Sequence, residues 1–346
     1  MEDLEVVRLL GQGGIATVYL CRRRQTGELL AVKRIPQERL KTAEQKRRAA
    51  AERHLLKHLS GPYLAKGIRS YEDDDFLSME MEYIVDARPL YQCIWQYRQT
   101  GRLSESVAKY FAAQIVLAVA SIHDAGYMHR DLKSGNVVID HRGIAFVIDY
   151  GFAKALKSGG STECGGRESQ RTWSLCGTHY VMAPEMFRRQ VYGTEVDWWG
   201  LGVIIHEMVT GRPPWEYKPS ADLPVERFFD EVIAGAERLA LPKGLTQTDM
   251  SPQCRSLIQS LLEVEPEKRL GHNGASEVMA HGWFHDIDWK EFSAQGHVQS
   301  PYDSKIDFNP SLDLLHRRQD ETVDDNSPSS AESIDPEDDA KYFGDF

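Results

Sequence analysis

The sequence predicts an α+β chain in which a short strand-rich part precedes a longer helical one. Three observations carry this. Roughly the first eighty residues are aliphatic and β-branched runs broken by glycine turns. From about Arg88 the apolar residues fall at helical spacing. One stretch, "TEVDWWGLGVIIHEMVTG", is apolar almost all round, the pattern of a helix inside a large core. With 346 residues, 41% of them hydrophobic, there is enough material for one large two-part body or two modest domains.

The elements follow in order. "LEVVRLL" and "TVYLCRRR" are strands separated by "GQGG", and "RQTGE" turns into a third, "LLAVKRI". "AEQKRRAAAERHLLKHL" is rich in helix formers, with Ala51, Leu55, Leu56 and Leu59 as its apolar stripe. A second helix, "ESVAKYFAAQIVLAVASIHDAG", carries Val107, Phe111, Ile115, Val119 and Ile122 on one face and stops at Gly126. "NVVIDHRGIAFVIDYGFAK" is a hairpin turning at Asp140–Gly143. "KSGGSTECGGRESQ" (157–170) and the chain beyond about Gly296 are irregular, and no repeats occur.

Charge and cysteine content bound the function. The net charge of −11 is concentrated near the end, where residues 319–340 hold nine carboxylates and no Lys or Arg. No basic face argues for nucleic acid or a membrane surface as the main partner. Five scattered cysteines without metal-ligand spacing fit reduced thiols in a cytoplasmic or nuclear protein. No apolar run reaches about 18 residues, and "MEDLEVVRLL" lacks a signal pattern, so no membrane insertion is expected.

The chemistry lies in a series of short motifs. "LGQGGIATV" (10–18) alone is a weak signal, since any glycine-containing hairpin resembles it. It is followed by Lys33 in "AVKRI", Glu52 in a charged helix, "HRDLKSGN" (129–136), "DYG" (149–151) and "APE" (183–185). Phosphates need backbone N–H donors and cations: Gly11, Gly13 and Gly14 permit close backbone approach, and Lys33 supplies the cation.

In this order and spacing the motifs resemble those of protein kinases. "RTWSLCGT", "DWWGLGVIIHEM", "EKRLG", "HGWF" and the terminal "FGDF" narrow the resemblance to the AGC group, nearest to the catalytic subunits of cyclic-AMP-dependent protein kinase. It covers almost the whole chain. The implied fold is a bilobal protein kinase: a β-rich N-lobe (1–83), a helical C-lobe (84–290) with an activation segment (149–185), and an AGC-type tail (291–346). The implied activity is transfer of the γ-phosphate of ATP, with Mg²⁺, to a serine or threonine of a protein.

The resemblance also assigns residues. Asp131 is the catalytic base, Lys133 the cation beside the transferred phosphoryl group, and Lys33 the α/β-phosphate ligand held by Glu52. ATP is expected against Leu10, Gly11, Gly13, Gly14, Val18, Ala31, Lys33, Met81, Glu82, Ile84, Asn136 and Asp149, with Asn136 and Asp149 holding Mg²⁺. Lys133 resembles the serine/threonine kinases as against the tyrosine kinases, and Phe152 the type that prefers serine to threonine. Ser174 corresponds to the activation-loop phosphosite, with Arg130 as its phosphate ligand and Thr178 directed to Asp131 and Lys133. Glu185 and Arg269 correspond to a buried ion pair of the C-lobe. Phe343 and Phe346 form a hydrophobic motif expected to enter a pocket beside the Glu52 helix.

Several positions depart from the family pattern. Ala16 replaces the third loop glycine, Tyr150 replaces the phenylalanine after Asp149, and Val323 stands where the tail aromatic is expected. The 157–170 insert lengthens the activation segment. Arg88 and Gly135 occupy positions where the cyclic-AMP-dependent enzyme reads upstream arginines with carboxylates, whereas Glu207 retains one. An altered preference for basic substrates is therefore expected. A protein or peptide substrate is the implied partner of a monomeric catalytic chain. A cyclic-nucleotide-binding regulatory subunit is also implied, but it mimics an arginine-rich substrate, so its binding stays open. Two alternatives remain at this stage: an inactive pseudokinase scaffold, argued against by retention of Lys33, Glu52, Asp131, Asn136 and Asp149, and the catalytic domain of a cyclic-GMP-dependent enzyme.

Overall fold

Alternating aliphatic residues build the first layer. Strands β1 (Leu4–Gln12), β2 (Thr17–Arg23), β3 (Leu29–Pro36), β4 (Gly67–Glu72) and β5 (Phe76–Glu82) form one antiparallel sheet in the order β1-β2-β3-β5-β4. The computed structural model describes residues 3–97, 100–156, 172, 176–215, 225–238, 250–294 and 298–303. Register places Val18 opposite Lys33, Lys33 opposite Met79, and Ala31 opposite Met81. Because facing residues share a side and side chains alternate, Val18, Ala31, Lys33, Met79 and Met81 lie on one face.

Helix α1 (Ala43–His58) starts at a capping box. The Thr42 hydroxyl accepts from the Gln45 amide, and the Gln45 side chain accepts from the Thr42 amide at 2.9 Å. Its buried stripe is Ala49, Glu52, Leu55 and Leu56, which carries a carboxylate inward among apolar neighbours. Ala51, expected in that stripe, is only half-buried.

The remainder is mainly helical: α2 (Leu90–Trp95), α3 (Glu105–Asp124), α4 (Pro184–Phe187), α5 (Glu195–Thr210), α6 (Val225–Arg238), α7 (Pro252–Leu261), α8 (Ala275–Met279) and α9 (Trp289–Ser293). Short strands are interspersed: β6 (Arg88–Pro89) just before α2, and β7 (Tyr127–Met128), β8 (Val137–Ile139), β9 (Ala145–Val147) and β10 (Lys154–Ala155) between α3 and α4. The predicted hairpin is β8–β9, its turn closed by a Gly143 amide donating to the Asp140 carbonyl at 3.0 Å. All of α5 is buried, as its all-round apolarity requires.

One helix meets a simple criterion for a membrane span. α3 is 20 residues long and apolar enough to cross a membrane by length and composition, yet 72% of its most apolar window is buried within the protein. It is the central helix of the C-lobe core. Its apolar run escapes a simple count because Lys109, Gln114 and His123 interrupt it.

The described start of the tail packs against this core. Tyr302 is buried and stacks on Tyr97, and the Ser300 hydroxyl donates to the Gly143 carbonyl at 2.9 Å. The four described cysteines, Cys21, Cys93, Cys176 and Cys254, are free and buried.

Candidate active site

The cleft face of the sheet supplies Lys33, whose ammonium lies 2.6 Å from Glu52 Oε1 and 2.8 Å from Asp149 Oδ1. Burial works against the ammonium, but the two carboxylates override it and raise the Lys33 pKa above its ordinary value. Burial also opposes the Asp149 charge, and there the Lys33 cation and the Gly151 amide prevail, holding the carboxyl at about 2. The Asp149 side chain is nonetheless 44% exposed, against 3% for Glu52. One carboxylate anchors the lysine; the other faces the cleft.

A second cluster lies on the loop between β7 and β8. Asp131 is buried, and its Oδ1 accepts from the Thr178 amide at 2.8 Å. Its Oδ2 accepts from Asn136 Nδ2 at 3.0 Å and pairs with Lys133 Nζ at 2.9 Å. Lys133 also donates to the Thr178 hydroxyl at 2.5 Å. Two side chains and one backbone amide thus fix one carboxylate rotamer, and Thr178 is directed as expected from its motif.

The loop itself hangs on Asp197 in α5. This fully buried carboxylate accepts from the His129 amide at 2.9 Å, the Arg130 amide at 2.8 Å and His123 Nε2 at 2.7 Å. Arg130 and Asp149 both have left-handed backbone, with φ of 67° and 63°, an uncommon conformation for residues with side chains. The Arg130 guanidinium donates to the Phe152 carbonyl at 2.7 Å and to Tyr192 at 3.2 Å. Sequence reasoning missed Asp197; the signal was an acidic residue directly before two tryptophans in a largely apolar helix. It also missed Met79, which shares the Lys33 face.

The remaining predicted positions are distributed around these clusters. Gly11 lies near the end of β1, and Gly13 and Gly14 lie in the β1–β2 connection; a Cβ on Gly11 or Gly14 would meet no protein atom within 4 Å. Internal packing therefore does not demand those glycines, as fits a backbone left open to a ligand. Leu10, Val18, Ala31, Met81 and Ile84 are partly buried, and Glu82 is exposed at the end of β5. Arg88 lies on β6, which packs on the turn at Ser134–Asn136 containing Gly135. Burial pushes Glu207 up to about 7, with a Ser134 hydrogen bond working the other way. The three positions expected to bear on specificity therefore converge on one turn. Glu185 and Arg269 form a bidentate pair at 2.5 and 2.9 Å. A cavity beside α1 is lined by Leu40, Lys46, Ala49, Arg53 and Leu77. Ser174, the 157–170 insert, Val323, Phe343 and Phe346 lie outside the described residues.

Residues 4–284 match the protein kinase domain family. The chain belongs to the protein kinase family. It is 29% identical over 348 residues to the cAMP-dependent protein kinase catalytic subunit of Dictyostelium discoideum, covering 100% of this chain and 49% of that one. Against the cAMP-dependent protein kinase catalytic subunit PRKX of Homo sapiens the figures are 30% over 308 residues, 88% and 78%. Against the serine/threonine-protein kinase AtPK2/AtPK19 of Arabidopsis thaliana they are 31% over 297 residues, 85% and 57%. The chain spans 49–58% of the length of several of these relatives. The β-rich and helical halves are those of the bilobal kinase fold, and the AGC resemblance agrees with these relatives.

Proposed function

We propose that the chain is a serine/threonine protein kinase that uses ATP and Mg²⁺ and has an altered preference for basic residues upstream of the acceptor. The observation that carries this is the pairing of two preorganised carboxylates, Asp131 and Asp149, each with its own lysine. The donor set fits a hard cation. Asp149 Oδ1 takes the bonds from Lys33 and Gly151, and Oδ2 has no hydrogen bond among the described residues. Asn136 spends its Nδ2 on Asp131, leaving its amide oxygen to face a ligand. A divalent ion held by these oxygens would offset charge on the phosphates.

The chain's own residues perform the rest. Lys33 binds phosphate oxygens, and Glu52 keeps it in place. Asp131 orients the acceptor hydroxyl and takes its proton as the oxygen bonds to the γ-phosphorus and the bond to ADP breaks. Lys133 supplies a cation beside the phosphoryl group, and the Thr178 amide stops Asp131 from rotating away. At this turn, Arg88 repels an upstream arginine and Gly135 offers no charge, so of the three positions only Glu207 supplies a carboxylate.

The test is Mg-ATP phosphotransfer to a generic serine peptide, repeated with Asp131→Ala. Activity should fall by about 10³-fold or more; a rate that survives the substitution refutes the assignment. An oriented peptide library should show weak selection at the two upstream positions, and strong selection for arginine there would sink the specificity reading.

A further inference from the structure

Tyr150 stands where the family pattern carries a phenylalanine, and its extra hydroxyl has found partners. The ring is fully buried, edge-on to His129 with centroids 6.0 Å apart. The hydroxyl lies 3.3 Å from both the Ala65 and the Val147 carbonyl oxygens, so one proton is shared between them. Those carbonyls belong to a single joint. The Ala65 amide donates to the Val147 carbonyl at 3.0 Å, and the Val147 amide to the Tyr63 carbonyl at 2.9 Å, a short parallel bridge. One side of the joint is the loop that follows α1; the other is the strand that runs into Asp149.

The joint is tied to the Glu52 helix by close packing. A Cβ on Gly67 would lie 2.4 Å from the Leu56 carbonyl oxygen, so only glycine lets this loop lie against α1. Tyr63 at the joint has left-handed backbone, φ 60°, as does Asp149 just beyond it. Such residues persist only where their surroundings over-determine them. Among the described residues, the Asp149 carboxylate is held by Lys33 and the Gly151 amide alone.

We propose that Tyr150 is a positioning residue whose hydroxyl clamps the loop after α1 to the Asp149 backbone. The clamp keeps the two carboxylates that share Lys33 in one register, and divalent-cation affinity depends on it. This rests on reading Asp149 as the metal-binding carboxylate. Phenylalanine would fill the same space and leave the Ala65 carbonyl without that donor.

The test compares the full chain with Tyr150→Phe and Tyr150→Leu. Hydrogen exchange is followed by mass spectrometry without nucleotide or metal, with α7 as internal reference. Half-saturating Mg²⁺ is then measured in the phosphotransfer assay, with Asp149→Asn as control. Loss of one shared hydrogen bond predicts, for Tyr150→Phe, about three- to tenfold faster exchange at 148–151 and a similar rise in the Mg²⁺ requirement. Exchange in α7 and the peptide KM should not move, and Tyr150→Leu should exceed Tyr150→Phe in both shifts. Unchanged exchange and an unchanged Mg²⁺ curve in Tyr150→Phe overturn the clamp. So does a uniform rise in exchange with a lowered Tm, which would mark a merely structural residue. If Asp149→Asn leaves the Mg²⁺ dependence intact, the metal reading of Asp149 fails, and the exchange result still judges the clamp.

Discussion

Two of the buried carboxylate–cation pairs among the described residues, Glu185–Arg269 and Glu52–Lys33, are built differently. Arg269 is closed on all sides. Besides Glu185 it donates to the carbonyls of Glu195, Glu263 and Val264, at 3.2, 2.9 and 3.4 Å. Lys33 divides its ammonium between Glu52 and a second carboxylate that is half open to the cleft. The first pair has no capacity left for a ligand. The second can exchange contacts at Asp149 and so serve one.

The sharpest way to break this comparison is to remove each cation. Arg269→Met strands a buried carboxylate and three carbonyls, so it should cost about 3–5 kcal/mol, a large share of a domain's stability. Denaturant titration would show it, along with poor soluble yield. Lys33→Met strands only Glu52, which can take up a proton, while Asp149 turns to water. It should cost about 1–2 kcal/mol yet lower phosphotransfer by 10²-fold or more. If Lys33→Met were the more destabilising of the two, the distinction between a closed and an open pair would be lost.

Asp197 is intermediate: a buried charge whose partners are mostly backbone. Burial opposes its ionisation, and the hydrogen bond from His123 does most to hold its pKa below the usual carboxylate value. Asp197→Ala leaves the His129 and Arg130 amides without an acceptor. We expect a loss of about 2–4 kcal/mol and a fall in kcat larger than any change in peptide KM, because the loop carrying Asp131 relaxes. Steady-state kinetics beside a melting curve would separate the two effects.

Much of this was legible in the sequence, for a physical reason. Phosphate chemistry needs glycine, lysine and carboxylate at fixed chain positions, so Lys33, Glu52, Asp131, Asn136 and Asp149 stand out before any fold is known. The strands, the β8–β9 turn and the all-apolar α5 were legible because each follows a local period. What escaped was set by partners far along the chain. Glu80 is fully buried on β5, held by Arg23 at 3.0 Å and Arg69 at 2.9 Å, and neither neighbour is suggested by local pattern. The left-handed backbone at Tyr63, Arg130 and Asp149 likewise depends on tertiary contacts that no window of sequence contains.

Glu207 is a carboxylate with no cation among the described residues, and it gives the pH-dependent member of the series. Its folded pKa of about 7 lies above its ordinary value of 4.5. The stabilisation from holding this proton is therefore full below about 4.5 and is lost as pH rises through about 7, at up to ~1.4 kcal/mol per pH unit. Glu207→Gln cannot lose a proton. Relative to the native chain it should gain stability steadily from pH 5 to 7, by about 1–3 kcal/mol in all, and stay level above. A stability difference that does not change with pH would mean that Glu207 finds a cation in solution and behaves like the paired carboxylates.

The smallest expected effect belongs to an uncharged contact. The Tyr63 hydroxyl donates to the Phe292 carbonyl at 2.7 Å, joining the loop after α1 to α9 across 229 residues of chain. Tyr63→Phe keeps the ring and the left-handed backbone and removes one neutral hydrogen bond, so about 1 kcal/mol should be lost in denaturant titration. The location of that loss carries the information. If the bond only fastens α9, hydrogen exchange should rise around Phe292 and leave 63–65 unchanged. If it also supports the joint beneath Asp149, exchange should rise at Ala65 and Val147 as well, and combining it with Tyr150→Phe should give a larger effect than the two singles added. A coupling of that kind is expected only between groups that share a partner. Both hydroxyls act on residues 63–65 of the loop after α1, so the double variant separates a joint held at two points from two independent ties.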